Sequence, residues 1–321
     1  MQKGSFQIAL KLLDNCGNHI STKILLKAQA RYYYCNFGFS KPSLFGGLHW
    51  ASIFGIDEIV AGLVEVKGCD INQEDCFGNT PLVWAARNGH EGVVKILLGS
   101  DDVDPNKPGL FGQTPLCFAV LRGHEGVVKI LLGCDDVDSN KPGIFGQTPL
   151  YFAILEGHEG AVELLRGRYK VSPDKLEGNR QTPLSCAASE GEGGVVKTLP
   201  GCNDVSPGKL DRLGKALLYC AAENGHDGVM EILLGRDNID PEKPSKFGET
   251  PLCWAARNGH EGVVKILLGR DDVSPEKPSG SGETPLYCAT RHGHEGVVNI
   301  LLGRDDVNPF KRQRRNRDGN N

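Results

Sequence analysis

Two short apolar stripes recur along this chain, separated by polar corners. From Thr80 the positions Leu82, Ala85 and Ala86 fall at i, i+3 and i+4, the spacing of one helix face. Thr80 has the chemistry of a helix N-cap, and Pro81 suits the first helical position, where a missing N–H costs nothing. Gly89 supplies the left-handed residue that ends such a helix. After the corner Gly89-His90-Glu91-Gly92, a second stripe of Val93, Val94, Ile96, Leu97 and Leu98 runs to Gly99. The stretch from Ser100 to Gln113 is rich in Asp, Asn, Pro and Gly, and this predicts a projecting turn. Helices of about two turns are marginal in water. Each pair therefore has to bury its stripes against another pair.

The unit repeats. Thr-Pro-Leu begins at Thr80, Thr114, Thr148, Thr182, Thr250 and Thr284, in steps of 34 residues or twice that, and Ala216-Leu217-Leu218 fills the one gap. Trp84 to Gly99 returns letter for letter as Trp254 to Gly269. An eighth unit begins upstream at Gly46-Gly47-Leu48-His49-Trp50-Ala51, without the Thr-Pro. Leu82 has a leucine counterpart in all eight units, and Ala85 an alanine. A fixed period of this length predicts an all-α solenoid of stacked helix pairs. The chain divides into a partly helical lead-in over 1–45, an array over 46–310 and a basic tail over 311–321.

Thr-Pro-Leu-x-x-Ala followed by Gly-His-x-x-Val-Val-x-x-Leu-Leu resembles the ankyrin repeat. The resemblance implies an ankyrin solenoid with projecting β-turn fingers, which binds protein partners and does not catalyse. Two departures stand out: the period of 34 exceeds the usual 33, and the histidine after Thr-Pro-Leu survives only as His49. In ankyrin arrays generally, partners touch the finger tips and the two residues before Gly-His, which line the inner side of the stack. Carried over, these positions are Leu110, Phe111, Leu121 and Arg122, then Ile144, Phe145, Leu155 and Glu156 in mid-array. More polar sets flank them: Phe77, Asn79, Arg87 and Asn88 on one side, and Phe247, Glu249, Arg257, Asn258, Glu283, Arg291 and His292 on the other. An apolar centre with a polar rim is how binding hot spots are arranged. Leu121 and Leu155 are expected to be exposed there.

Residues 20–70, with Tyr32-Tyr33-Tyr34 ahead of Gly47-Leu48-His49-Trp50-Ala51-Ser52, resemble the segment joining the nucleotide-binding part of fungal NOD-like receptors to their ankyrin sensor array. That resemblance implies a ligand-sensing array, either a fragment of such a receptor or a stand-alone paralogue without the nucleotide-binding domain. The other reading is a cytosolic or nuclear scaffold localised by its tail.

Composition changes this picture little. The 42 glycines and 18 prolines in 321 residues mark many turns but fall short of a disordered composition. No apolar run reaches a dozen residues, too few for a membrane span of about 20. The N-terminus lacks a secretory pattern, and the odd count of 11 cysteines reads as reduced thiols, which predicts a cytoplasmic or nuclear chain. Residues 311–321 hold five cations against Asp318, so the remainder is more acidic than the net charge of −4 indicates. An acidic body argues against a broad nucleic-acid surface. The tail itself has the composition of a nuclear localisation signal or a nucleic-acid arm, and equally of a solvated, disordered terminus.

Candidate chemistry yields to structural readings. His90, His124, His158, His226, His260 and His294 share one repeat position, one per layer, which cannot give a tetrahedral zinc site. In similar proteins this ring bridges the backbones of adjacent repeats. Cys117, Cys186, Cys220, Cys253 and Cys288 lie in first helices, where a small buried hydrophobe fits. Gly208-Lys209 and Gly214-Lys215-Ala216 have the wrong spacing for a phosphate loop, and Asp101-Asp102-Val103-Asp104 lacks the glycine and final glutamate of a calcium loop. No cofactor, metal or catalytic residue is expected. Decay is local: Thr198, Pro200 and Glu192 break the fifth unit and the sixth lacks its Thr-Pro, so 182–218 is predicted to be the weakest joint. The final stripe, ending at Leu302, has no polar cap after it.

Overall fold

The computed structural model describes residues 47–66, 68–168, 182–199, 217–236 and 239–307. The lead-in and the basic tail lie outside the described residues. Within them the chain forms sixteen α-helices in eight pairs and no strand. The pairs are α1 (Gly47–Phe54) with α2 (Asp57–Val64), α3 (Pro81–Asn88) with α4 (Glu91–Leu98), α5 (Pro115–Leu121) with α6 (Glu125–Gly133), and α7 (Pro149–Leu155) with α8 (Glu159–Arg168). They continue as α9 (Pro183–Glu190) with α10 (Gly193–Thr198), α11 (Leu217–Asn224) with α12 (Asp227–Leu234), α13 (Pro251–Asn258) with α14 (Glu261–Leu268), and α15 (Pro285–His292) with α16 (Glu295–Leu302).

The predicted caps are in place. Thr80 Oγ1 accepts from the Val83 N–H at 3.2 Å, and Thr114, Thr148, Thr182, Thr250 and Thr284 repeat the bond, each ahead of a proline at the first helical position. Gly89 sits at φ 79°, where a side chain would be strained, and its N–H returns to the carbonyls of Ala85 and Ala86 to close α3. Decay also has its effect: α10 is cut to six residues, whereas the other second helices have eight or more.

The chain divides into two compact units, Met1–Lys170 and Val171–Asn321, so the division falls upstream of the predicted joint at 182–218. In the first unit α1, α3, α5 and α7 pack one on the next, and α2, α4, α6 and α8 do the same behind them. The second unit repeats this with α9, α11, α13 and α15 in front of α10, α12, α14 and α16. The cores are the predicted stripes: Leu82, Ala85, Ala86, Val93, Val94 and Leu97 are all buried, and so are their counterparts in most other repeats. The five cysteines predicted for first helices are buried as well. In the last described repeat Leu302 is 46% exposed where its counterpart Leu268 is 7% exposed.

His49, the one survivor of its position, is fully buried, and its Nε2 faces the carbonyls of Gln73 at 3.0 Å and Asn79 at 3.2 Å. Burial pushes the imidazole pKa below its usual value, against the opposing pull of Asp75 and Asp70 and the two carbonyls. The unfolded chain therefore takes up a proton near pH 6.5 that the folded chain refuses, and stability falls as the pH drops below about 6.5. Thermal unfolding of wild type is expected to shift to lower temperature between pH 7.5 and 5.5, and His49→Gln is expected to shrink that shift. An unchanged pH slope in the variant would contradict the assignment.

Candidate partner-binding surface

What holds the fingers in place is a set of bonds from one repeat to the next. The histidine Nε2 atoms reach back to first-helix carbonyls of the preceding repeat: His90 to Ile53 at 2.8 Å, His124 to Arg87 at 3.0 Å, His226 to Ser189 at 2.8 Å, His260 to Glu223 at 3.0 Å and His294 to Arg257 at 2.8 Å. The backbone-bridging role expected for this histidine is what these rings perform. Finger bases are clamped by side chains from the preceding finger. Asn72 donates to the Asp102 carbonyl at 2.6 Å and accepts from the Asp104 N–H at 2.8 Å, and Asn106 treats Asp136 and Asp138 alike. Lys107 and Lys141 cross the same gap to the carbonyls of Asn72 and Asn106.

Each tip is a tight turn, closed by bonds such as Gly109 N–H to the Gln113 carbonyl at 2.8 Å and Gly143 N–H to the Gln147 carbonyl at 3.0 Å. Neighbouring tips join directly, with the Ile144 N–H donating to the Phe111 carbonyl at 3.0 Å. On this rigid row the first unit presents Phe77, Phe111, Ile144 and Phe145, which are 39%, 54%, 66% and 62% exposed. The Phe111 and Phe145 rings are tilted neighbours, 6.3 Å between centroids. Phe111 lies in the short 3-10 segment Leu110–Gly112 at φ 58°, the one non-glycine residue with positive φ among the described residues. A bulky side chain in that region stores strain of about 1–2 kcal/mol. Strain of this kind, on an exposed ring, concentrates at functional positions.

The positions before Gly-His divide by chemistry. Leu121 and Leu155 are half-buried, as is Leu110, so the expected row of exposed leucines is corrected, and the exposed apolar side chains are those on the tips, Phe77, Phe111, Ile144 and Phe145. Arg122 and Glu156, beside them, are exposed, as are Asn88 and Asn258. Arg87 lies over the Trp84 ring at 5.2 Å and near the Phe118 ring at 5.8 Å. In the second unit Arg257 covers the Trp254 ring at 4.7 Å and pairs with Glu249 at 2.7 Å and Glu283 at 3.2 Å, and Glu283 also holds Arg291 at 2.8 Å. Trp254 in turn stacks on Tyr219 at 5.0 Å, whose hydroxyl pKa is pushed up by burial and by Glu223 and Glu249. Thus the first unit offers an apolar edge, and the second a ladder of alternating charge with Phe247 and Tyr287 exposed beside it.

Identical sequence does not give identical surroundings. Trp84 Nε1 donates to the buried Asp75 carboxylate at 2.8 Å, and Asp75 also accepts from the Phe77 and Asn79 N–H groups. Five repeats on, Ser245 replaces Asp75, and the buried Trp254 Nε1 has no hydrogen-bond partner among the described residues. Among the described residues there is no group of three His, Cys, Asp or Glu side chains placed to hold a metal, and no helix long and apolar enough to cross a membrane.

A family model described as ankyrin repeats (3 copies) matches residues 2–109, 48–141, 101–175 and 218–311, which together span most of the chain. The solved structure of the human ASB11 ankyrin repeat domain is similar, with a TM-score of 0.59 and 23% identity, covering 70% of this chain and 98% of that one. At that identity the likeness is one of fold. No curated protein sequence matches this chain.

Proposed function

The chain belongs to the ankyrin-repeat family, and we propose that it is the ligand-sensing array of a fungal NOD-like receptor or of a stand-alone paralogue, binding a protein partner along the finger tips of its first unit. The observation that carries the binding site is the row of Phe111, Ile144 and Phe145, all more than half exposed on fingers that are bonded to one another. Apolar side chains on a rigid, preorganised edge lose little entropy on binding. The receptor reading rests on the tyrosine-rich lead-in and the long-period array, and it places the chain in the cytoplasm. A second reading, a scaffold carried to the nucleus, is favoured by the basic run from Lys311 to Arg317.

Photo-cross-linking tests the surface. A benzophenone amino acid at Phe145 of the intact chain, expressed in its own cells, is expected to yield a discrete cross-linked species. The same probe at Ile232, on the second-helix side, is expected to yield none. Equal cross-linking from both positions, or none from Phe145, would overturn the assignment.

A further inference from the structure

The second unit contains a small device that the first unit has in incomplete form. At Gly269-Arg270-Asp271-Asp272 the guanidinium of Arg270 donates through Nε and Nη2 to the two carboxylate oxygens of Asp272, both at 2.8 Å, and through Nη1 to the Leu234 carbonyl at 2.9 Å. At Gly303-Arg304-Asp305-Asp306 the same fork holds Asp306 at 2.8 and 2.9 Å and the Leu268 carbonyl at 2.7 Å. Leu234 and Leu268 each end the second helix of the preceding repeat, where the negative end of the helix dipole favours a cation. A carboxylate and a helix-end carbonyl, brought together across two repeats, thus form a three-acceptor cradle for a planar guanidinium. The carboxylates of Asp272 and Asp306 titrate below their usual range because of the same arginines.

At two turns of the first unit the acceptors recur, and serine or cysteine stands where the arginine would be. The matching segments read Gly99-Ser100-Asp101-Asp102 and Gly133-Cys134-Asp135-Asp136. The preceding second helices end at Val64 and Leu98. Asp102 and Asp136 are exposed, and neither carboxylate forms an ion pair among the described residues. Asn72 and Asn106 hold the backbone carbonyls of these two aspartates, which fixes where each carboxylate is rooted.

We propose that Asp102 with the Val64 carbonyl, and Asp136 with the Leu98 carbonyl, form two guanidinium-binding sites one repeat apart, filled by arginine side chains of a partner segment. The partner then supplies from outside what Arg270 and Arg304 supply from within. Arginine is selected over lysine because only a planar fork meets both carboxylate oxygens and the carbonyl together. Each site is solvent-exposed and weak by itself. Two arginines on one segment gain from effective concentration, which sets the spacing requirement.

The test uses the full chain and a fluorescein-labelled Gly/Ser peptide bearing two arginines, beside matched peptides bearing two lysines or two citrullines. The arginine peptide is expected to bind about tenfold more tightly than the lysine peptide, and the citrulline peptide not measurably. Asp102→Asn with Asp136→Asn is expected to abolish binding. So is Ser100→Arg with Cys134→Arg, which keeps every aspartate but fills both sites from within; circular dichroism checks that each variant is folded. Equal binding of arginine and lysine peptides would overturn the proposal, as would undiminished binding to the arginine-filled variant or no binding of the arginine peptide to wild type. A chain ending at residue 310 that bound the peptide at least tenfold more tightly would show that the protein's own tail occupies the sites, which also overturns the partner assignment. Serine at Phe111 and Phe145 is expected to leave peptide binding unchanged, so failure of these sites and failure of the finger-tip surface are seen separately.

Discussion

Phe111→Gly combined with Phe145→Ser is expected to lower affinity for the cross-linked partner by at least about two orders of magnitude while leaving the fold as stable as before. Aromatic hot spots contribute about 2 kcal/mol or more each, and about 1.4 kcal/mol is a factor of ten, so two rings lost from one contact exceed a hundredfold. Stability responds differently. Glycine at 111 accepts φ 58° without the strain of about 1–2 kcal/mol that phenylalanine bears there. The ring pair at 6.3 Å contributes about 0.5–1.5 kcal/mol in return, so the two changes roughly cancel. Calorimetric titration against the purified partner, with thermal unfolding of both proteins, reads the two effects separately. If the rings merely stiffened the finger row, the variant would lose stability and keep its affinity, the reverse of the expected result.

Leu131→Ala is expected to cost about 2–5 kcal/mol, the largest stability loss of any single substitution considered for the first unit. Leu131 lies in α6, is completely buried, and belongs to the second-helix row that packs against α4 and α8. A short helix pair has no core apart from its neighbours, so the cavity is shared by three repeats and cannot close by one helix moving. Against a total stability of about 5–15 kcal/mol the loss is severe. Gly126→Ala in the same helix makes an instructive contrast. An added methyl there would meet the Glu91 carboxylate, which is the free end of an exposed, flexible side chain and can swing away. Urea denaturation is expected to show a large drop in midpoint for Leu131→Ala and little change for Gly126→Ala. Comparable losses in both would mean that the glutamate-over-glycine contact is structural.

The repeat itself was legible because its causes are local. Thr80, Pro81 and Gly89 act within one helix of their own positions, and the leucine and alanine of each first helix need only the 34-residue translation to find their partners. The histidine ladder was legible through family likeness alone, since its acceptor lies 37 residues back on another helix. Leu121 and Leu155 are expected to be exposed, and the structure has them half-buried. Position in a repeat defines the direction of a side chain, whereas its depth is set by what the next repeat lays against it. Phe77, Phe111 and Phe145 could be lined up from the sequence, but the left-handed backbone at Phe111 could not, because nothing in Leu-Phe-Gly demands it.

The amino-acid sequence by itself determined the helix boundaries, the stacking period, the buried stripes and the polar fingers, all of which follow from side-chain chemistry repeated at short spacing. Only the tertiary structure decided which polar groups meet. Trp84 and Trp254 sit in identical stretches of sixteen residues, yet the Nε1 of one is bonded to Asp75 and that of the other has no hydrogen-bond partner among the described residues, serine standing at 245 in place of the aspartate. Arg270 and Arg304 find their carbonyls 36 residues upstream, whereas serine and cysteine stand at the matching positions 100 and 134. The physical reason is the same in each case: a hydrogen bond or an ion pair depends on two groups meeting within about 3 Å, and in a stacked array the second group arrives from the neighbouring repeat.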